Sequence, residues 1–219
     1  MTRKVFWDDP YLTTHSTTVH SVSGSDIELE STIFYAEAGG QESDEGSIGD
    51  YQVKKATKNG KQITYTLEDS HNLQVGDHVE VKIDWSRRYQ LMRLHFAAEV
   101  VLELFYKQLA GIEKTGAHIA AHKARVDFHY PDGIRETIPL VQEKGQALIN
   151  QGLPIISAFS DENAERRYWK VEGFSQVPCG GTHLKTTDEV GTLRLKRKNL
   201  GKGKERVEIF VEDAYTQVT

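Results

Sequence analysis

The only cysteine of the chain, Cys179, stands four residues ahead of a histidine in the run Pro178-Cys179-Gly180-Gly181-Thr182-His183. A thiolate and an imidazole on one short loop can both reach an ion of zinc size, and the two glycines let the backbone fold back without a Cβ clash. Far upstream, His95 and Glu99 are spaced i, i+4 in a stretch with helical periodicity, so both project from one helix face. Cysteine, histidine and carboxylate are donors that zinc accepts. Two from a helix and two from a loop make His95, Glu99, Cys179 and His183 a candidate metal site. Taken singly, each has a plainer reading: His95 as a packed or surface histidine, Cys179 as inert packing in a turn. Their pairing favours the ligand set.

Three further groups offer binding chemistry. In Thr32-Ile33-Phe34-Tyr35-Ala36-Glu37-Ala38-Gly39-Gly40-Gln41, followed by Asp44 and Gly46, the Gly39-Gly40 pair permits a sharp turn or a close backbone approach to a ligand. Thr32 and Gln41 offer hydrogen bonds to a small polar group; the plainer reading is a hairpin corner with an exposed amide. Arg87 and Arg88 sit at an expected helix start, where arginine suits the dipole poorly, so they answer to a phosphate or to a nearby carboxylate. Finally, Arg194, Lys196, Arg197, Lys198, Lys202, Lys204 and Arg206 are opposed locally only by Glu205. That clustering reads as a phosphate footprint or as a flexible solvated turn.

The elements that must position these groups change character near residue 85. Over residues 1–84, strand-like runs recur at Thr17–Val22, Asp26–Leu29, Thr32–Tyr35, Lys61–Leu67 and His78–Ile83, separated by turn residues such as Gly24, Asn59-Gly60 and Gly76-Asp77. Short strands at this spacing predict a small barrel or sandwich. Ser86 then reads as the N-cap of a helix whose Leu91, Leu94, Ala98, Val101, Leu102, Phe105 and Leu109 recur at helical spacing until Gly111. A strand at 124–130, a Pro131-Asp132-Gly133 turn and a strand at 134–138 predict a hairpin. Pro139 opens a second helix that Gly152 ends. A short helix is expected over 161–167, and a hairpin over 191–197 and 205–211. Strands and helices without strict alternation predict an α+β fold in two domains, 1–84 and 85–219.

With 219 residues the chain can bury a proper core, and its net charge of −5 confines any polyanion contact to local patches. A single cysteine fits a reducing compartment. No apolar run approaches the roughly 18 residues of a membrane span, and the N-terminus lacks a signal-peptide pattern. A cytoplasmic protein without a membrane partner is expected.

Taken together, these motifs resemble the AlaX family, free-standing relatives of the editing domain of alanyl-tRNA synthetase. The likeness runs from Phe34-Tyr35 through Gly39-Gly40-Gln41, Asp44 and Gly46, to Asp84-Trp85 with Arg87-Arg88-Tyr89. It continues through Met92 and His95, Pro178 to His183, and Gly191 with the basic hairpin. It implies the medium-length type: an N-terminal small β-barrel joined to an α/β two-layer editing core with a mostly antiparallel sheet. It further implies zinc as cofactor, the acceptor end of tRNA(Ala) as partner, and hydrolysis in trans of alanine tRNA mischarged with serine or glycine. Thr32, Gly39, Gly40 and Gln41 are the implied substrate-binding residues, with Thr32 or Gln41 on the serine hydroxyl. Arg87, Arg88, Lys196, Arg197, Lys198 and Lys202 are the expected tRNA contacts. One position departs: the family's helix motif is His-x-x-x-His, whereas this chain has His95-Phe96-Ala97-Ala98-Glu99. Glu99 can serve as the fourth ligand or as a general base beside three ligands. The same departure suits a non-catalytic tRNA-binding or regulatory paralogue with an altered metal site. Editing of a different tRNA is a third possibility.

Overall fold

The structure is a computed structural model that describes residues 2–212. It divides into two compact units, Met1–Tyr89 and Gln90–Thr219.

The first unit is built from short strands: β1 (Arg3–Lys4), β2 (Thr14–Ser23), β3 (Asp26–Leu29), β4 (Ser31–Thr32), β5 (Gly46–Ile48), β6 (Tyr51–Gln52), β7 (Lys55–Asn59), β8 (Gln62–Thr66) and β9 (His78–Ile83). Seven of them form one antiparallel sheet in the order β6-β5-β9-β2-β3-β8-β7, beside a parallel β1–β4 pair. The long β2 pairs with β9 over Thr14–Thr18 and with β3 over Val19–Ser23, with a register shift between Val19 and Ser21. Such a bulge bends the strand and curls the sheet. Alternation buries Val79, Val81 and Ile83 of β9 and Ile63 and Tyr65 of β8. Where a small barrel was expected the structure has an open curled sheet: no ladder joins β6 to β7 among the described residues. The strand expected over Thr32–Tyr35 stops at Thr32, and Ile33 to Ala36 are buried without a ladder.

The second unit holds most of α1 (Trp85–Gln108), then β10 (Glu113–Ala120), β11 (Lys123–His129), α2 (Ile138–Ile149), β12 (Ile156–Asp161), β13 (Arg166–Val171), β14 (Ser175–Pro178), β15 (Thr192–Gly201) and β16 (Lys204–Glu212). Two antiparallel sheets result, β10-β11-β16-β15 and β12-β13-β14. With the first unit this makes a mixed α+β fold whose sheets are mostly antiparallel. Asp84, not Ser86, caps α1: its Oδ1 accepts the Arg87 N–H at 3.0 Å, and its charge suits the positive end of the helix. Within this unit Phe96 of α1 meets Trp169 of β13 edge-on at 5.2 Å, and Phe105 packs on Phe128 of β11 at 5.0 Å. The helix therefore has a sheet on either side, which is why it is buried nearly all round, charged Arg93 and His95 included.

Two local expectations are corrected. Residues 134–138 form a 3-10 turn (Arg135–Thr137) leading into α2, because β11 already has both its edges filled by β10 and β16. Residues 161–167 are not helical: they turn β12 into β13, with Glu165 at φ 53°, so ladder pairing overrides a weak helix propensity. No helix among the described residues is long and apolar enough to cross a membrane.

Candidate metal centre

The cysteine loop leaves β14 under tight control. The Cys179 N–H donates to the Arg167 carbonyl of β13 at 2.9 Å, and the Gly181 N–H donates to the Cys179 Sγ at 3.4 Å. Beyond it Thr182, His183 and Leu184 are buried, and the Thr186–Glu189 capping box starts the short 3-10 helix Thr187–Val190. His95 and Glu99 point into the same place from successive turns of α1.

One donor atom from each of His95, Glu99, Cys179 and His183 lies within 4.8 Å of all the others. Cys179 Sγ is 3.4 Å from His95 Nε2, His95 Nε2 is 3.5 Å from Glu99 Oε1, and His183 Nε2 is 3.4 Å from Glu99 Oε2. Ligand–metal lengths of ~2.0–2.3 Å at a tetrahedral ion put neighbouring donors about 3.3–3.8 Å apart, and these three separations fall in that range. Two of the converging atoms, Glu99 Oε2 and His183 Nε2, are buried with no hydrogen-bond partner. Facing each other at 3.4 Å without a hydrogen bond, this buried carboxylate oxygen and ring nitrogen are costly, and a cation between them would satisfy both. The other ring nitrogen of His183, Nδ1, faces Ser157 Oγ of β12 at 3.2 Å, which turns Nε2 toward the cluster. The residues fit a metal ion.

Electrostatics favour positive charge at this point. Burial works against a charged His95, but Glu99 and Cys179 beside it lift its pKa well above 6.5, and Cys179 and Glu99 raise that of His183. Burial likewise opposes charge on Glu99, yet the two imidazoles hold its carboxyl far below the usual range. Against the same opposing burial, His95 and His183 lower the Cys179 thiol to about 7, which favours the thiolate that a metal needs.

The remaining candidates belong to the first unit and to the β15–β16 hairpin. Ala38 and Gln41 exchange backbone hydrogen bonds at 3.0 and 3.2 Å around Gly39 and Gly40, which both have positive φ, so this stretch is a hairpin corner. Its Gln41 side chain is buried, not exposed. Thr32 is buried too, and its Oγ1 accepts from the Phe34 N–H at 3.0 Å and the Tyr65 hydroxyl at 2.8 Å. Arg88 has no exposed surface; its guanidinium pairs with Asp44 and donates to the carbonyls of Ile33 and Pro10. Of the two partners expected for Arg88, a phosphate or a nearby carboxylate, the first unit supplies the carboxylate, and a fully buried guanidinium is not exposed to a tRNA phosphate. Arg87 answers to Glu42 at 2.8 Å and to the Ser43 carbonyl. In the basic hairpin, Arg197 turns inward onto buried Glu205, Lys198 reaches Glu208 at 3.0 Å, and Lys196 and Lys202 are exposed. Sequence reasoning missed Ser157, which has no spacing to the group it serves, and named Asp44 only beside the Gly39-Gly40 stretch, not as the partner of Arg88.

Comparison with known proteins defines the class first. Residues 10–87 match the family described as tRNA synthetases class II (A), and residues 167–208 match the threonyl and alanyl tRNA synthetase second additional domain. The chain is 32% identical to the alanyl-tRNA editing protein AlaX-M of Pyrococcus horikoshii, covering 97% of this chain and 99% of that one. It is 30% identical to AlaX-M of Methanosarcina barkeri over 97% of this chain and the whole of the other. An alanine–tRNA ligase of Methanococcus aeolicus is 30% identical over 94% of this chain but only 25% of its own length. The chain belongs to the AlaX-M alanyl-tRNA editing protein family.

Proposed function

We propose that this protein is a deacylase that hydrolyses, in trans, the ester joining a wrong amino acid to alanine tRNA, with zinc as its cofactor. The observation that carries the reading is the convergence of four metal donors, two of them buried without partners, in a chain aligned end to end with AlaX-M relatives. Serine and glycine are the substrates that the chemistry calls for. A synthetase pocket sized for alanine rejects neither smaller glycine nor serine, which adds only a hydroxyl, so a second hydrolytic sieve is needed.

In this reading His95, Glu99, Cys179 and His183 hold the ion, and zinc supplies Lewis-acid polarisation there. Cys179 and Glu99 bring two negative charges to the site, and Ser157 fixes the ring of His183. Thr32 and Gln41 are assigned to the seryl hydroxyl. Since Thr32 Oγ1 already accepts two hydrogen bonds, Thr32 can serve the substrate only as a donor. Residues 1–84 are read as a barrel-type module, 85–219 as the editing domain acting on the tRNA acceptor end in the cytoplasm.

The test is deacylation of Ser-, Gly- and Ala-charged alanine tRNA, with and without chelator. Hydrolysis of the seryl ester, sparing of the alanyl ester, loss on chelation and recovery with zinc are expected. Binding of tRNA without hydrolysis by the zinc-loaded protein identifies instead a non-catalytic paralogue, the outcome that Glu99 in place of the family's second histidine brings into play.

A further inference from the structure

The sheet β10-β11-β16-β15 has two chemically different faces. Val126 and Phe128 of β11, Val207 and Ile209 of β16, and Leu193 and Leu195 of β15 are buried on one. On the other face alternation collects charge. β11 contributes Lys123, Arg125 and Asp127; β16 contributes Lys204, Arg206, Glu208 and Glu212; β15 contributes Arg194, Lys196 and Lys198. Register aligns them in rows, Arg125–Glu208–Lys196 and Asp127–Arg206–Lys198. Seven lysines and arginines thus stand against three carboxylates, a surplus of four positive charges on a chain whose net charge is −5.

The carboxylates are shared. Asp127 takes Arg206 through two bonds, at 2.6 and 3.0 Å, and also Arg125. Glu208 takes Lys123 at 2.7 Å and Lys198 at 3.0 Å. Each acid therefore holds two cations upright while neutralising one, and those cations keep between 28% and 47% of their side-chain surface. Exposed pairs of this kind are worth about 1 kcal/mol or less, so exchanging one carboxylate contact for a phosphate costs little. Phe210 on the same face lies under the Arg194 guanidinium at 4.5 Å, so its ring is not open for stacking an unpaired base. A sheet face carrying an ordered cation array and no free stacking ring suits the regular phosphate backbone of a duplex.

We propose that this outward sheet face, spanning β11, β16 and β15, binds the sugar–phosphate backbone of double-helical RNA without reading its sequence. That the duplex is the helical part of a tRNA rests on the deacylase reading above. The face differs from the footprint expected of the hairpin alone: it adds Lys123 and Arg125 of β11 and excludes inward-facing Arg197.

The experiment measures binding of uncharged alanine tRNA and of an unrelated RNA duplex across a salt titration. It compares wild type, Lys196→Glu/Lys204→Glu, and a control of equal charge change in the first unit, Lys54→Glu/Lys55→Glu. The sheet variant is expected to lose about tenfold in affinity at low salt, by the same factor for both RNAs, with a salt slope shallower by about 2. The control keeps wild-type slopes. Lys196→Gln/Lys204→Gln repeats the comparison should the glutamates impair folding. Wild-type affinity in the sheet variant, an equal loss in the control, or a loss confined to alanine tRNA each overturns the proposal. Deacylation is scored separately: a wild type that binds duplex RNA through this face yet hydrolyses no mischarged tRNA sinks the deacylase reading and leaves the surface standing. Normal hydrolysis beside unchanged binding in the sheet variant does the reverse.

Discussion

In the proposed zinc site, Glu99 is the residue that sets the charge on the metal. A carboxylate and a thiolate together balance the charge of a divalent ion, which leaves it a weaker Lewis acid than an ion held mostly by imidazoles. Glu99→His, which removes one of those charges, is therefore expected to raise zinc affinity or deacylation rate, read by metal competition and by Ser-tRNA(Ala) hydrolysis. Equal or lower values for both contradict the assignment. At this scale much was legible from the chain: the Cys179–His183 spacing and the His95–Glu99 helical spacing singled out the four residues that the fold brings together. Ser157 was not legible, because its contact with His183 exists only once β12 and the cysteine loop are neighbours. For Arg88 the sequence left a phosphate and a nearby carboxylate open, for a similar reason. A charged side chain in a polar-looking stretch reads as exposed until its buried partner Asp44 is in place.

Among the elements, strands with clean alternation were the legible ones. β3 and β9 fall where the pattern put them, and Pro139 and Gly152 bracket α2 as expected. The three-stranded sheet β12-β13-β14 was not: β12 and β14 have no buried position, so their pairing with the alternating β13 is set by register, not by their own pattern. Two predictions belong here. At Gly46 a Cβ would stand 2.0 Å from the Lys82 carbonyl oxygen across the β5–β9 ladder, a backbone contact that cannot swing aside. Gly46→Ala is expected to destabilise the protein by about 2–3 kcal/mol in urea denaturation; an unchanged midpoint contradicts the close approach. In the second sheet, hydrogen bonds from Lys123, and then from Lys198, overcome burial and lower Glu208 from 4.5 to about 2. A depressed folded-state pKa contributes stability above the unfolded value and loses it as pH falls, here between about 4.5 and about 2. Because both lysines keep a third to a half of their side-chain surface, Glu208→Gln should cost about 1 kcal/mol at neutral pH. The difference from wild type should close on acidification, and a cost that stays constant through that window contradicts the pairing.

For the whole molecule, composition and charge set limits that the fold then fills. A net charge of −5 argues against indiscriminate nucleic-acid binding, and the surplus cations on one sheet face show how an acidic chain can still offer a polyanion a local footing. The two compact units carry different groups: the hairpin corner at Gly39-Gly40 lies in the first, the whole donor cluster in the second. The proposed editing chemistry rests on that cluster gripping a single zinc ion through all four side chains. X-ray absorption at the zinc edge of the purified, zinc-loaded protein tests this most directly. The expected spectrum has one sulfur neighbour at ~2.3 Å and three nitrogen or oxygen neighbours at ~2.0–2.2 Å per zinc. A spectrum without sulfur, or a protein that takes up no zinc, contradicts the account.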